Sequence, residues 1–240
     1  MNINNDKKYN LIFGAYICLE AILFIIIKVS EFYSIQRPLD IIRYSAIVCN
    51  FLMILYLYLR HGRHLSLKDN LIPVAFFFTL IADTFLCLIN GIYIMGYFFF
   101  FVVESVYMIY LNPTYKSIIA RIILYAVLLL VLWYAHMLSL TYAIAMANMA
   151  QLTVNVFCAW VMNHKVKSSE ALLFALGITL FFGCDFSIVI RTLTRPSVIH
   201  SIIVFMVWMC YIPAQVLLLS SYTEKLRHIE MTHSQKSSVL

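Results

Sequence analysis

Eight apolar runs, each close to the length that carries a helix across a bilayer, divide this chain almost from end to end. They cover roughly residues 9–28, 38–59, 70–90, 92–111, 115–134, 139–162, 168–191 and 198–222, against a need of about 20 residues per crossing. Proline, glycine and charge punctuate them at "RP", "RHGRHLSLKDN", "NG", "NPTYK", "NHKVKSSE" and "TRPS". Hydrocarbon offers backbone groups no water to bond, so a chain with this pattern folds as helices. The expected fold class is an all-α membrane protein, with eight transmembrane helices forming one domain over residues 1–222 and a polar, disordered cytoplasmic tail over 223–240. Composition agrees: 63% of residues are hydrophobic and 12% charged, about half the charge of a soluble domain. The opening "MNINNDKKYN" is polar and shows no small-residue cleavage site, so the first run is expected to stay as a span. The short "NG" gap predicts a tight antiparallel hairpin of the third and fourth helices.

Charge orients the bundle. Eight crossings put Lys7, Lys8, Arg60, Arg63, Lys68, Lys116, Arg121, Lys165, Lys167, Lys225, Arg227 and Lys236 on one side. Lys28, Arg37, Arg43, Arg191 and Arg195 fall on the other. Twelve of the seventeen basic residues thus share the side of both termini, which the positive-inside rule assigns to the cytoplasm. The net charge of +6 therefore reads as topology, and no nucleic-acid partner is expected. The six cysteines lie inside apolar runs without a CxxC pair, as small buried hydrophobes do. No histidine pair has ligand spacing, so neither metal nor cofactor is expected.

Against this background Asp83, in "FFFTLIADTFLCLI", and Asp185, in "LFFGCDFSIVI", stand out. Each costs roughly 2.5–3.5 kcal/mol near the centre of a span. Asp83 lies seven residues before Asn90 and Asp185 six before Arg191. Both helices run outward, so both carboxyls sit roughly 9–11 Å below the outer end. Matching depth is what a shared site requires. Polar residues also recur at helical spacing: Thr141, Asn148, Gln151 and Asn155 in the sixth run, Trp208, Tyr211, Gln215 and Tyr222 in the eighth. The fourth run aligns Tyr93, Tyr97, Glu104 and Tyr107, and the first Tyr9, Tyr16 and Glu20. Such stripes line a cavity or simply bond neighbouring helices. Arg43 and Arg121 are expected to snorkel to headgroups, and Trp133 and Tyr222 to anchor at the interface. Glu20, Asp83, Glu104 and Asp185 face no lysine at their depth, so they are expected to share protons.

The chain resembles the YhhN-type lysoplasmalogenase family. The residues that carry the resemblance are Arg37-Pro38-Leu39 opening the second span, Ala82-Asp83 in the third, Cys184-Asp185 late in the chain, and "YIPAQ" in the last, with Tyr211, Ala214 and Gln215. It departs at Glu104, where the family shows a histidine three residues before a tyrosine, here Tyr107, and at Cys184, where the family shows serine. The resemblance implies a hydrolase of the vinyl-ether bond of lysoplasmalogens, releasing a fatty aldehyde and a glycerophospho-base. It implies Asp83 and Asp185 as the catalytic pair, one donating a proton and the other activating water or steadying the cation. Tyr211, Gln215 and Asn155 would orient groups around them, and Arg37 or Arg191 would hold a lipid phosphate at the outer rim. Glu104, Tyr107 and Asn148 complete the expected substrate-binding set. The partners expected are a lysophospholipid and membrane lipid, in a bacterial plasma membrane or an internal eukaryotic one. The bundle cavity would take the headgroup and the bilayer the tail. Two other classes use the same residues: a proton-coupled carrier, and a membrane protein that binds lipid without cleaving it.

Overall fold

The computed structural model describes the backbone of residues 3–33, 37–61, 65–89, 92–193 and 198–237, and the side chains of 11–33, 39–61, 65–89, 92–190 and 202–229. The described residues form α1 (Ile3–Phe32), α2 (Arg37–His61), α3 (Leu71–Asp83), α4 (Tyr93–Tyr110), α5 (Tyr115–Tyr134), α6 (Leu140–Val166), α7 (Ser169–Leu193) and α8 (Val198–Ser237). A π-helical turn, Thr84–Leu88, extends α3. Among the described residues, eight helices are long and apolar enough to cross a membrane. The protein is the eight-helix bundle that the apolar runs require.

Neighbours in sequence pack together, α1 on α2, α2 on α3, α3 on α4, α5 on α6 and α7 on α8. The bundle closes through α4 on α6, α6 on α7, and α8 on α1 and α2. Its core is a band of apolar side chains that includes Ile54, Leu57, Ile72, Phe174, Ile178 and Leu218. Ile22, Leu52, Phe77, Ile122, Leu130 and Phe157 point outward, where lipid is as good a solvent for them as the core. Helices approach where side chains are small: Gly177 of α7 against Leu218 of α8, and Gly183 against Cys210. The expected α3–α4 pairing is present, with Phe99 of α4 stacked between Phe78 and Phe85 at 6.2 and 5.8 Å.

Three expectations about helix ends change. The last span does not stop at Tyr222: its apolar stretch is Ile202–Ile229, and α8 continues to Ser237 where a disordered tail was expected. Tyr222 is consequently 0% exposed, a core residue and not an interface anchor, whereas Trp133 is 67% exposed as an anchor should be. Arg43 does not snorkel either. It pairs with Glu31 at 2.7 Å and Asp40 at 3.0 Å and lies over the Trp208 ring, with Lys28 on the same Glu31.

The overrun of α8 carries Lys225 to an ionic cluster, 2.6 Å from Asp69 in the α2–α3 connection and 3.3 Å from Glu170 at the start of α7. Burial opposes the charge on Asp69, but hydrogen bonds from Lys225 and Ser66 outweigh it and hold the carboxyl below the ordinary aspartate range. A carboxyl lowered on folding stabilises above its unfolded value and loses that contribution as pH falls through its folded one. Lys225→Met should therefore lower thermal stability at pH 7 by on the order of 1 kcal/mol. The gap to the wild type should narrow in acid, once the pH has fallen through the lowered folded value of Asp69. A gap that is equal at both pH values would remove Asp69 as the partner.

Candidate functional site

Asp83 is the last residue of α3 before the π turn, and it is 4% exposed. A π turn fits one extra residue into the ladder and is common at functional sites. Here its first residue, Thr84, shares a hydrogen bond with Tyr44 of α2 at 2.9 Å. Tyr211 of α8 donates its hydroxyl to Asp83 Oδ2, and its ring packs against Phe181 of α7 and Trp208. The last helix is thereby fixed onto the third.

Asp185 projects from α7 into the wall of a cavity of about 370 Å³ enclosed by α4, α5, α6, α7 and Leu86 of the π turn. Leu128, Leu132, Phe100 and Met146 typify its lining, and the polar groups there are few: Asp185, Asn148, Tyr97 and Tyr142. An apolar chamber with a few convergent polar groups is the usual form of a small-molecule site. Its lining fits a hydrocarbon chain better than the headgroup expected from the sequence. Asp83 and Glu104 lie within electrostatic reach of Asp185. Acids from α3, α4 and α7 thus meet electrostatically, although Asp185 alone of the three lines this cavity.

Glu104, midway along α4, is 0% exposed. Asn155 of α6 donates through Nδ2 to Glu104 Oε2 at 2.8 Å and to its main-chain oxygen at 2.9 Å. Asn155 Oδ1 accepts from Arg121 Nη2 of α5 at 2.6 Å, and Arg121 Nη1 bonds the Ser117 carbonyl at 2.9 Å. Arg121 was expected at the headgroups, but it is 7% exposed and inside the bundle. It therefore supplies Glu104 with a cation, relayed through one amide, where none was expected. The signal was present: Ser117, Arg121, Leu128 and Leu132 fall at spacings of four, seven and four, one helical face.

A family model, the YhhN family, matches residues 44–222, most of the length. The chain belongs to the YhhN family. Searches of curated proteins and of solved structures return no match. The YhhN match takes in Asp83, Glu104, Asp185, Tyr211 and Gln215, and it begins after Arg37-Pro38-Leu39.

In this YhhN protein the other expected site residues divide by surroundings. Asn148 lines the cavity and donates to the Tyr97 carbonyl at 2.9 Å. Gln151 donates to Ser105 at 2.9 Å, so the α6 amides grip α4 and serve helix packing as well. Tyr107 is buried with its ring 5.8 Å from that of Phe174, and Gln215 is buried in α8. Neither lines the cavity. The side chains of Arg37, Arg191 and Tyr9 lie outside the described residues. Glu20 is buried on α1, and one turn earlier on the same helix Tyr16 donates to Asn50 of α2 at 2.5 Å. Among the described residues no cluster of His, Cys, Asp and Glu could hold a metal.

Proposed function

We propose that this YhhN protein is an intramembrane ether-lipid hydrolase acting on the vinyl-ether bond of a lysoplasmalogen-type lysolipid. One observation carries the reading: Asp185 stands in the wall of an apolar chamber, with a second buried aspartate, Asp83 of another helix, within electrostatic reach. A vinyl ether hydrolyses after protonation of its β-carbon, and carbon accepts protons slowly, so a positioned general acid is required. Asp185 is the group with access to a substrate in the chamber. Its proton bonds to the β-carbon, and the double-bond electrons shift to leave an oxocarbenium ion. Water adds to the carbon bearing the ether oxygen and returns a proton to Asp185. The resulting hemiacetal breaks its second carbon–oxygen bond, giving the fatty aldehyde and the glycerophospho-base, with the acid restored.

Asp83 accepts a hydrogen bond from Tyr211, and a bond of that kind favours the ionised form of a carboxyl. A fixed negative charge near the chamber steadies the oxocarbenium ion as it forms. The alkenyl chain occupies the apolar cavity with its ether end at Asp185, and the headgroup extends outward toward the membrane surface. In this reading both termini lie in the cytoplasm, the orientation that the bias of basic residues favours. None of these steps calls for a cofactor.

The test is a purified preparation offered a lysoplasmalogen and, separately, the plain acyl lysolipid. Aldehyde release from the first alone supports the proposal. Proton flux in liposomes with no lipid turnover would point instead to a carrier. Tyr211→Phe removes the hydrogen bond to Asp83 and keeps the ring packing. A hydrogen bond to a charged group contributes about 1.5–3 kcal/mol, so kcat should fall roughly 10- to 100-fold. An unchanged kcat would take Tyr211 out of the site.

A further inference from the structure

Resting on the hydrolase reading, we infer that the chamber takes its lipid sideways, past a rim of Val131 and Ala135 on α5, from the leaflet opposite the chain termini. Every stretch that lines the chamber lies at one end of the bundle. Successive helices alternate in direction, so the starts of α4 and α6 share a side with the ends of α5 and α7 and with Leu86. That side is the one away from both termini, whichever compartment the termini face. The deepest lining groups are Asp185, Leu128, Phe100 and Met149. They stand five residues before Ile190, six before Tyr134, seven after Tyr93 and nine after Leu140. At roughly 1.5 Å per residue these depths come to about 8–14 Å. The midplane of a hydrocarbon core about 30 Å thick lies deeper, so the chamber belongs to a single leaflet.

Its walls leave one way in. Toward the midplane the rings of Phe100 and Phe181 meet at 5.7 Å, and beyond them Asn155 clamps α4 and α5 to α6. Toward the water, Met137 of the α5–α6 connection lines the chamber. His136 turns the chain there with a φ of 55°, and the Met137 main-chain nitrogen bonds the Leu132 carbonyl at 2.9 Å. Of the residues that line the chamber, Val131 and Ala135 are the two exposed ones, one turn apart on α5. Val131 is 58% exposed, whereas its neighbour Leu132 is 7% exposed. The chamber therefore reaches the surface beside these two. Leu130 and Trp133 are exposed around them, so that surface is the apolar flank of a span and its solvent is lipid. The close packing of α5 is with α6. Its polar tie at Arg121 lies ten residues before Val131, about 15 Å away. This end of α5 is thus the wall most free to yield. A slot onto hydrocarbon admits a lipid chain and leaves the charged headgroup at the membrane surface. The occupant is one such chain, since 370 Å³ is near the small end of ligand sites, about 300–1,000 Å³.

The experiment uses phosphatidylcholine vesicles carrying the full chain with a C-terminal tag, whose protection from added protease counts the molecules with their termini inside. A lysoplasmalogen bearing a photoreactive group on its alkenyl chain is added from outside, so that it enters the outer leaflet alone. Cross-links should fall on α5 around Val131 and Ala135, and their yield should follow the share of protected tags. Aldehyde release should follow the same share. Ala135→Trp should lower cross-linking and kcat/KM by at least about tenfold, the smaller loss that one ill-fitting group causes in an apolar pocket. Leu130→Trp, exposed on α5 but outside the lining, should leave both unchanged. If Ala135→Trp does not fold, the sidedness of the wild type decides. Cross-linking that follows the exposed tags, or ignores orientation, would overturn the inference. So would an Ala135→Trp variant that behaves like Leu130→Trp. Cross-linking as expected with no aldehyde from any preparation would uphold the entry route and remove the hydrolase reading. Aldehyde release indifferent to both orientation and Ala135→Trp would overturn the route and leave the hydrolase standing.

Discussion

Asp185→Asn should lower aldehyde release from a lysoplasmalogen by about 100- to 10,000-fold, the range over which a positioned general acid contributes. Asparagine matches the carboxyl in size and stays polar, so the bundle should fold as before. It has no acidic proton to give to carbon. Because Asp185 faces an apolar chamber, water cannot readily replace it as donor. Asp83→Asn should cost less, because it removes a charge near the reaction and leaves the donor in place. Single-turnover assays in detergent, with circular dichroism to confirm folding, separate the two. A wild-type rate for the Asp185 variant would end the proposed mechanism whatever the other variants do.

Gly177→Leu should destabilise the bundle by about 3 kcal/mol, the upper end of the usual overpacking range. A Cβ at Gly177 would lie 2.9 Å from Leu218 Cγ and 3.1 Å from the Leu218 main-chain nitrogen. One of those neighbours is a fully buried side chain and the other backbone, so relief requires α7 and α8 to part. In a membrane this contact is a main source of helix association, since apolar side chains gain little by leaving lipid. Asp185 lies eight residues further along α7, about 12 Å away, and Tyr211 is on the partner helix. The substitution should therefore weaken activity along with stability. Gly14→Leu is the control: nothing stands within 4 Å of its added Cβ, and its stability should stay within about 0.5 kcal/mol of wild type. Equal melting temperatures for the two variants would contradict the close α7–α8 contact.

The number of helices was legible because hydrocarbon thickness sets a length that no soluble fold imposes. Equal depth on two helices running the same way accords with the electrostatic reach of Asp185 to Asp83, but of the two only Asp185 lines the cavity. Partner choice was not legible. Periodicity tells which face of α5 bears Arg121, but it does not tell that this face meets Asn155 of α6, which in turn meets Glu104 of α4. Span-end position misled for Tyr222, because the residues after it, which look polar in sequence, continue the helix and pair across the bundle through Lys225. Periodicity left open whether the stripes on α4 and α6 line a cavity or bond each other, because it shows a face and not what that face meets. Asn155 and Gln151 spend their hydrogen bonds on α4, and the space left over is apolar.

The π turn sets a constraint on chain length. It accommodates one residue more than an α turn, so the chain beyond it is out of phase with α3 by about 100°. On one side of that offset Asp83 reaches Tyr211, and on the other Phe85 stacks on Phe99 while Leu86 fills the space beside Gly96. Deleting a single residue between 84 and 88 would restore a regular ladder and bring the two halves into phase, and the acid and the hairpin could not then both keep their partners. Insertions and deletions are therefore tolerable in the connections between helices, but this five-residue segment must keep its length for Asp83 to keep its aim.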